Sequence, residues 1–291
     1  MNGMNGMTGA PRSASCLSRP SRFSRLRRTA LLVIPVASWS GVQAWAAQTP
    51  PMATDRPDQT ESAQLVPRGL FQFEAGGTHV VDREGSAPAT RVSNVGGALL
   101  RIGLLNPVEL RVGFAGWQRA SAEGGDATAG FGDLAAGTKV RIANGAGMSP
   151  AIAVIGGVLI PVGDSDFRAG GVDPSVRVAL AHALGGGVSL GYNVGGVWTT
   201  VTDGAGDESL ETSLLYSVAL GRQLLPKLAG FVEAFGVHGL ADGAASWHAL
   251  DGGITIPVRM NLQFDLSAGV GLSEGASDWF LSAGFAVRVP R

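Results

Sequence analysis

From Gly69 to Val289, apolar residues alternate with small or polar ones at period two, and clusters of Gly, Asp, Asn, Ser and Pro cut the alternation at regular intervals. That periodicity belongs to strands with two unlike faces. It predicts about twelve of them, at 69–80, 91–104, 108–119, 131–143, 151–161, 174–184, 188–201, 211–221, 228–238, 248–257, 262–273 and 278–289. Most are about 10 to 13 residues long, where strands of soluble proteins average about 5 or 6 and a tilted bilayer-crossing strand needs about 9 to 11. In 108–119, Val108, Leu110, Val112 and Phe114 point one way and Glu109, Arg111, Gly113 and Ala115 the other. In 262–273, Leu262, Phe264, Leu266, Ala268, Val270 and Leu272 oppose Gln263, Asp265, Ser267 and Gly269, and 278–289 divides in the same way.

The connections alternate too. Tight turns such as Leu105-Asn106-Pro107 and Gly185-Gly186-Gly187 follow the even strands, while DREGSAPAT, SAEGGDATAG, VGDSDFRAGG, TDGAGDES and GLADGAASW follow the odd ones. The expected fold is therefore all-β: a single closed antiparallel transmembrane barrel of about twelve strands, with short periplasmic turns and longer extracellular loops. Closure is required because an open sheet edge in hydrocarbon would leave backbone N–H and C=O groups unpaired.

Composition agrees. Charged residues are 15% of the chain against about 25% in ordinary globular proteins, and Gly supplies 44 of 291 residues. No run outside the N-terminus approaches the roughly 20 apolar residues of a membrane-spanning helix. The scattered Lys and Arg lack the clustering of a nucleic-acid binder. Residues 1–28 carry Arg12, Arg19, Arg22, Arg25, Arg27 and Arg28 and no acid, and the apolar run TALLVIPVASWSGVQAWA follows. This reads as a signal peptide over 1–46, cut after Ala44-Trp45-Ala46 and removing the lone Cys16. Residues 47–68, polar and Pro-rich, read as an extended periplasmic leader, and 69–291 as the barrel.

A charge on the lipid face near the midplane costs about 2–4 kcal/mol for Arg or Lys, so strand charges are expected to face the lumen. The inward set is Glu74, Arg101, Glu109, Arg111, Asp133, Lys139, Arg141, Arg177, Glu233, Asp265 and Arg288, with Gln263 beside them. Its signs nearly balance. Such a set can brace a narrow barrel by ion pairing or line a solute path, and the sequence leaves both readings open. Trp117, Trp198, Trp247 and Trp279 fall near the loop-side strand ends, where an aromatic girdle would lie; Tyr192 and Tyr216 fit it less clearly. His79, His182, His238 and His248 sit on different strands without metal-ligand spacing, and Ser246 near His248 has no third partner suggested by spacing. No catalytic residue, metal or cofactor is expected.

The segment TDRPDQTESAQLVPRGLFQFEAG (54–76), GFGDLAAGTKVRI (130–142), Leu159-Ile160-Pro161-Val162-Gly163, Phe231-Val232-Glu233 and LQFDLSAGVGLSEGASDWFLSAGFAVRV (262–289) together resemble the phenol-degradation-pathway (MetA) family of outer-membrane transporters. The resemblance implies uptake of aromatic or other hydrophobic compounds. Asp55, Arg56, Pro57, Asp58, Glu61, Gly132, Asp133, Lys139, Pro161, Gly163, Glu233, Gln263, Asp265 and Trp279 occupy its motif positions. The chain departs from the family at Gln59, where an aromatic is usual, and at Val289-Pro290-Arg291, which lacks a terminal aromatic. The expected partners are outer-membrane lipid, the barrel assembly machinery and a small solute, and no nucleic acid; the expected location is the bacterial outer membrane. An uptake channel for small solutes leads. A non-transporting structural or surface-interaction barrel follows it, ahead of an outer-membrane enzyme. The leader, through Asp55, Arg56, Asp58 and Glu61, either folds back onto luminal Arg or Lys as a partial plug or extends freely.

Overall fold

The structure, a computed structural model, describes residues 50–83, 89–202, 206–241 and 244–290. The expected signal peptide over 1–46 lies outside the described residues. The strands are β1 (Phe71–Asp82), β2 (Thr90–Leu105), β3 (Val108–Phe114), β4 (Trp117–Ala122), β5 (Ala127–Phe131), β6 (Leu134–Ala146), β7 (Ser149–Ile160), β8 (Asp173–Gly185), β9 (Val188–Thr202), β10 (Glu208–Leu225), β11 (Leu228–Gly239), β12 (Ser246–Arg259), β13 (Leu262–Gly271) and β14 (Trp279–Val289). Both β3 and β4 pair with β2, while β6 pairs with β3 and β5 with β4. Each of these couples is one broken stave. The barrel thus has twelve antiparallel staves, and β1 closes it by pairing with β2 on one side and β14 on the other, from Phe71↔Val289 to Val81↔Trp279.

The two breaks lie side by side and were not foreseen in the continuous strands expected at 108–119 and 131–143. Gly116 adopts φ +81°, and a Cβ there would stand 2.5 Å from the Gly97 nitrogen, so only glycine passes this point. Across the gap, the Ala115 N–H donates to the Asp133 carbonyl at 2.9 Å and the Gly132 N–H to the Gly116 carbonyl at 2.9 Å. Leaving the regular ladder turns the Asp133 carboxylate to the connection between β7 and β8, where it accepts the N–H groups of Gly163 (2.8 Å) and Ala169 (2.7 Å). The break therefore fixes an extracellular loop.

The faces divide as the alternation requires. Leu110, Val112, Phe264, Leu266, Val270 and Leu281 are all more than a third exposed on the outer wall, while Glu109, Arg111, Gln263 and Asp265 between them are buried. Outer aromatics gather at two levels. Near the loops, His79 packs on Trp279, Tyr216 donates or accepts a 2.6 Å bond with His248 Nδ1, and Trp198 and Trp117 stand nearby on the same face. Near the turns, His182 stacks on Tyr192. Trp247 departs from the expected girdle: it shares the inner face with Asp251 and meets the buried Phe235 edge-on, and Phe235 in turn meets Phe280. Its place on the strand end was legible, but its side of the wall depends on register.

Candidate functional site

Residues 50–66 run inside the barrel. They are the centre of the polar interior, and most of the luminal charges are turned toward them. Asp55 is the hub: its carboxylate receives Arg111 Nη1 at 2.6 Å, Lys139 Nζ at 3.0 Å and Arg101 Nη1 at 3.1 Å. The Ser62 N–H also donates to it at 2.9 Å, closing the leader into a loop. Burial alone would raise the Asp55 carboxyl, but Arg101, Lys139 and Arg111 outweigh it and hold the group well below the usual carboxylate range.

Around this hub, Glu74 accepts the N–H groups of Asp55 (2.9 Å) and Arg56 (3.0 Å), and Glu109 accepts that of Val66 (2.7 Å). Arg101 joins Glu74 (3.0 Å) to Glu109 (2.7 Å) and donates to the carbonyls of Ala53 (3.1 Å) and Gln64 (2.9 Å). Glu74, Arg101, Glu109 and Lys139 have no solvent-exposed surface. Charges buried to that degree persist only when each is paired and hydrogen-bonded. The leader supplies those partners.

Residues of β9, β11, β13 and β14 hold the leader by further contacts. Arg56 reaches Asp265 (3.1 Å) and Ser282 (3.0 Å). It crosses the paired glycines Gly76 and Gly284, where a Cβ would stand 2.5 Å and 2.4 Å from the guanidinium. Gln263 donates to Thr54 Oγ1 at 2.9 Å, Arg288 to the Pro50 carbonyl at 2.6 Å, and Glu233 accepts the Gln59 N–H at 2.7 Å and the Thr60 hydroxyl. Asn193 clasps the Glu61 backbone from both sides, accepting its N–H at 2.7 Å and donating to its carbonyl at 3.0 Å. Ala63 and Leu65 add a small apolar seat on Ala151, Ala153, Ile155 and Ala179.

Two cavities flank the leader. One, of about 660 Å³, lies toward the loops beneath Phe167, Arg168 and Ala169, and its walls include Leu99, Ile155, Leu159 and Val197. The other, of about 420 Å³, lies toward the turns and is lined largely by Ala, Gly and Ser of β7 to β10, with Phe231. Glu61 borders both.

The chain from 54 to 289 matches the sequence family described as "Putative MetA-pathway of phenol degradation". The chain belongs to that family. No curated protein matches it. Among solved structures, it resembles the COG4313 outer membrane channel from Pseudomonas putida F1, at 14% identity and TM-score 0.62, over 80% of this chain and 98% of that one. It also resembles the translocator domain of the autotransporter NalP from Neisseria meningitidis, at 11% identity and TM-score 0.50, over 75% of this chain and 88% of that one. At such identities the likeness concerns the fold, an outer-membrane barrel.

In this phenol-degradation-family barrel, the inward residues read from the sequence separate into groups. Glu74, Arg101, Glu109, Arg111 and Lys139 meet in one network with Asp55 and Glu61, while Glu233, Gln263, Asp265, Arg288 and Arg177 hold the leader singly. Asp133 stands apart as the loop anchor. Arg141, half-buried toward the turns, forms no ion pair among the described residues. Pro57 is buried in the leader between Arg56 and Asp58. Asn193, Gln72 and Asp251 were absent from the inward set, although parity in 188–201 and 248–257 already puts Asn193 and Asp251 on the luminal face.

Asp251 sits directly across from Glu233, and Asp58 of the leader faces both. Burial, followed by the carboxylates of Glu233, Asp55 and Asp251, raises the Asp58 carboxyl well above its usual range. A raised value in the docked state means docking is strongest below the ordinary carboxyl range and weakens as pH rises through the raised one. Asp58→Asn removes that loss. In planar bilayers it is expected to suppress brief high-conductance openings at pH 7.5 and to match the parent at pH 4.

Proposed function

We propose that this barrel is an uptake channel for small aromatic or otherwise hydrophobic solutes, closed at rest by its own leader. The observation that carries the reading is the two cavities separated by residues 54–64, the upper one walled by Leu99, Ile155, Leu159, Phe167 and Val197. A concave, mostly apolar chamber with a few convergent polar groups is what a small apolar ligand requires. Family membership supports it, as does the likeness to a barrel named as an outer-membrane channel. The reading takes the barrel to work without catalytic machinery and to be exported through a cleaved signal peptide over 1–46.

The test uses a probe that the lipopolysaccharide leaflet excludes. Cells lacking their major porins and producing this protein are expected to take up the fluorophore 1-N-phenylnaphthylamine several-fold faster than cells carrying an empty vector. An unchanged rate would favour the non-transporting structural barrel instead.

A further inference from the structure

The ionic interior has a tight half and a loose half, and only the loose half faces the cavities. In the tight half, Asp55, Glu74, Arg101, Glu109 and Lys139 have side chains at most 4% exposed and contacts of 2.7 to 3.1 Å. In the loose half, Glu61 is one-fifth exposed and lies 3.5 Å from Arg177 and 3.8 Å from Lys139. Its 2.8 Å approach to Arg111 lacks hydrogen-bond alignment, so Oε2 has no hydrogen-bond partner there. The backbone of Glu61 is nailed to Asn193. Its carboxylate is held by charge alone.

The junction lies at this level on the neighbouring strands too. On β8, Ser175 lines the upper cavity and Ala181 the lower, with Arg177 between them; on β9, Val197 and Gly191 do the same around Asn193. Arg111, Lys139 and Arg177 therefore converge on one weakly oriented carboxylate of the protein's own, at the edge of the upper cavity that Arg111 and Glu61 line. Asp133 and Asp173, the other acids on that cavity's lining, already accept backbone N–H groups from Gly163, Ala169 and Thr200.

We infer that the upper cavity is a binding site for small apolar monocarboxylates of the benzoate type, whose carboxylate takes the place of Glu61 on Arg177 and Arg111 while the ring lies against the apolar walls. The inference rests on the uptake reading above and adds a specific anionic class to its solutes. Exchange of one carboxylate for another costs little charge-pair energy, because the cations are never left bare. It also frees the Glu61 side chain at the junction of the two cavities, while Asn193 keeps its backbone in place.

Equilibrium dialysis of the purified full-length barrel against labelled benzoate at pH 7.5 tests this. Glu61→Gln removes the resident competitor and is expected to tighten benzoate binding about tenfold. Arg177→Gln, leaving the Asp55 hub intact, is expected to weaken it by a similar factor. Unlabelled benzoate should displace the label far better than acetate, which lacks the ring, or benzyl alcohol, which lacks the charge. Absence of benzoate binding in both the parent and Glu61→Gln would overturn the inference. So would wild-type binding by Arg177→Gln, equal displacement by acetate, which marks a plain anion site, or equal displacement by benzyl alcohol, which marks a neutral one. If fluorophore uptake persists alongside any of these results, the channel reading stands and only the carboxylate site falls.

Discussion

Asp55→Ala is expected to release the leader from the lumen and raise the single-channel conductance several-fold, the largest functional change available from one side chain. Three buried cations, Arg101, Arg111 and Lys139, meet the Asp55 carboxylate at 2.6 to 3.1 Å. Removing one partner from such a cluster costs about 3–5 kcal/mol, because the remaining charges stay enclosed without compensation. The leader's remaining holds are separate polar contacts spread over several staves, and its apolar seat is only two side chains, Ala63 and Leu65, against a wall of alanines and Ile155. The barrel itself should survive, since Arg101 keeps Glu74 and Glu109 and the backbone ladder closes without the leader. Released residues 50–66 become accessible to a glutamate-specific protease at Glu61, so conductance and cleavage should rise together. A second variant separates charge from shape: adding Lys139→Met to Asp55→Ala removes one stranded cation and is expected to recover part of the closed state. An unaltered conductance in Asp55→Ala would show that the leader does not limit flow.

The barrel was readable in the chain because a closed sheet in lipid obeys one local rule repeated around the wall. Leu110 and Val112 against Glu109 and Arg111 declare their faces by parity alone, and length separates these strands from soluble ones. What parity could not show was where the chain leaves the ladder. The breaks at Gly116 and Gly132-Asp133 arise from a close approach of Gly116 to Gly97 across strands, a contact with no signature in either segment. The inward charges were legible as a set but not as a network. Their near balance suggested pairing among strands, whereas the decisive acid, Asp55, comes from outside the barrel. Its motif Asp55-Arg56-Pro57-Asp58 was conspicuous in an otherwise featureless leader, yet nothing local says that an extended polar segment will turn inward. That outcome depends on Glu74, Glu109 and Glu233 offering acceptors to its N–H groups from three separate staves. Trp247 failed for a related reason: strand-end position fixes its height, and a single residue of register decides between lipid and lumen.

The outer wall carries the second large effect. Leu266 stands near the middle of β13, outward, 45% exposed, between Ile254 and Ala283 on the adjoining strands. In water such a leucine is a surface residue, and replacement by arginine would be close to neutral. In a bilayer the same position contacts acyl chains, and Leu266→Arg is expected to cost about 2–4 kcal/mol. Met260, in the tight turn between β12 and β13 and 78% exposed, is the matched control. Met260→Arg lies at the interfacial level and is expected to cost no more than about 1 kcal/mol. Urea unfolding in phospholipid vesicles measures both. The gap between them is the quantity that matters, because both side chains are exposed and in water both replacements would be close to neutral. Equal and small costs would mean that the apolar belt faces water, and the barrel would then need another reason for leaving Leu110, Val112, Phe264 and Leu281 uncovered. A large cost confined to Leu266 ties the alternation to its cause. Each long strand is oily on one side because hydrocarbon lies there, and polar on the other because the leader does.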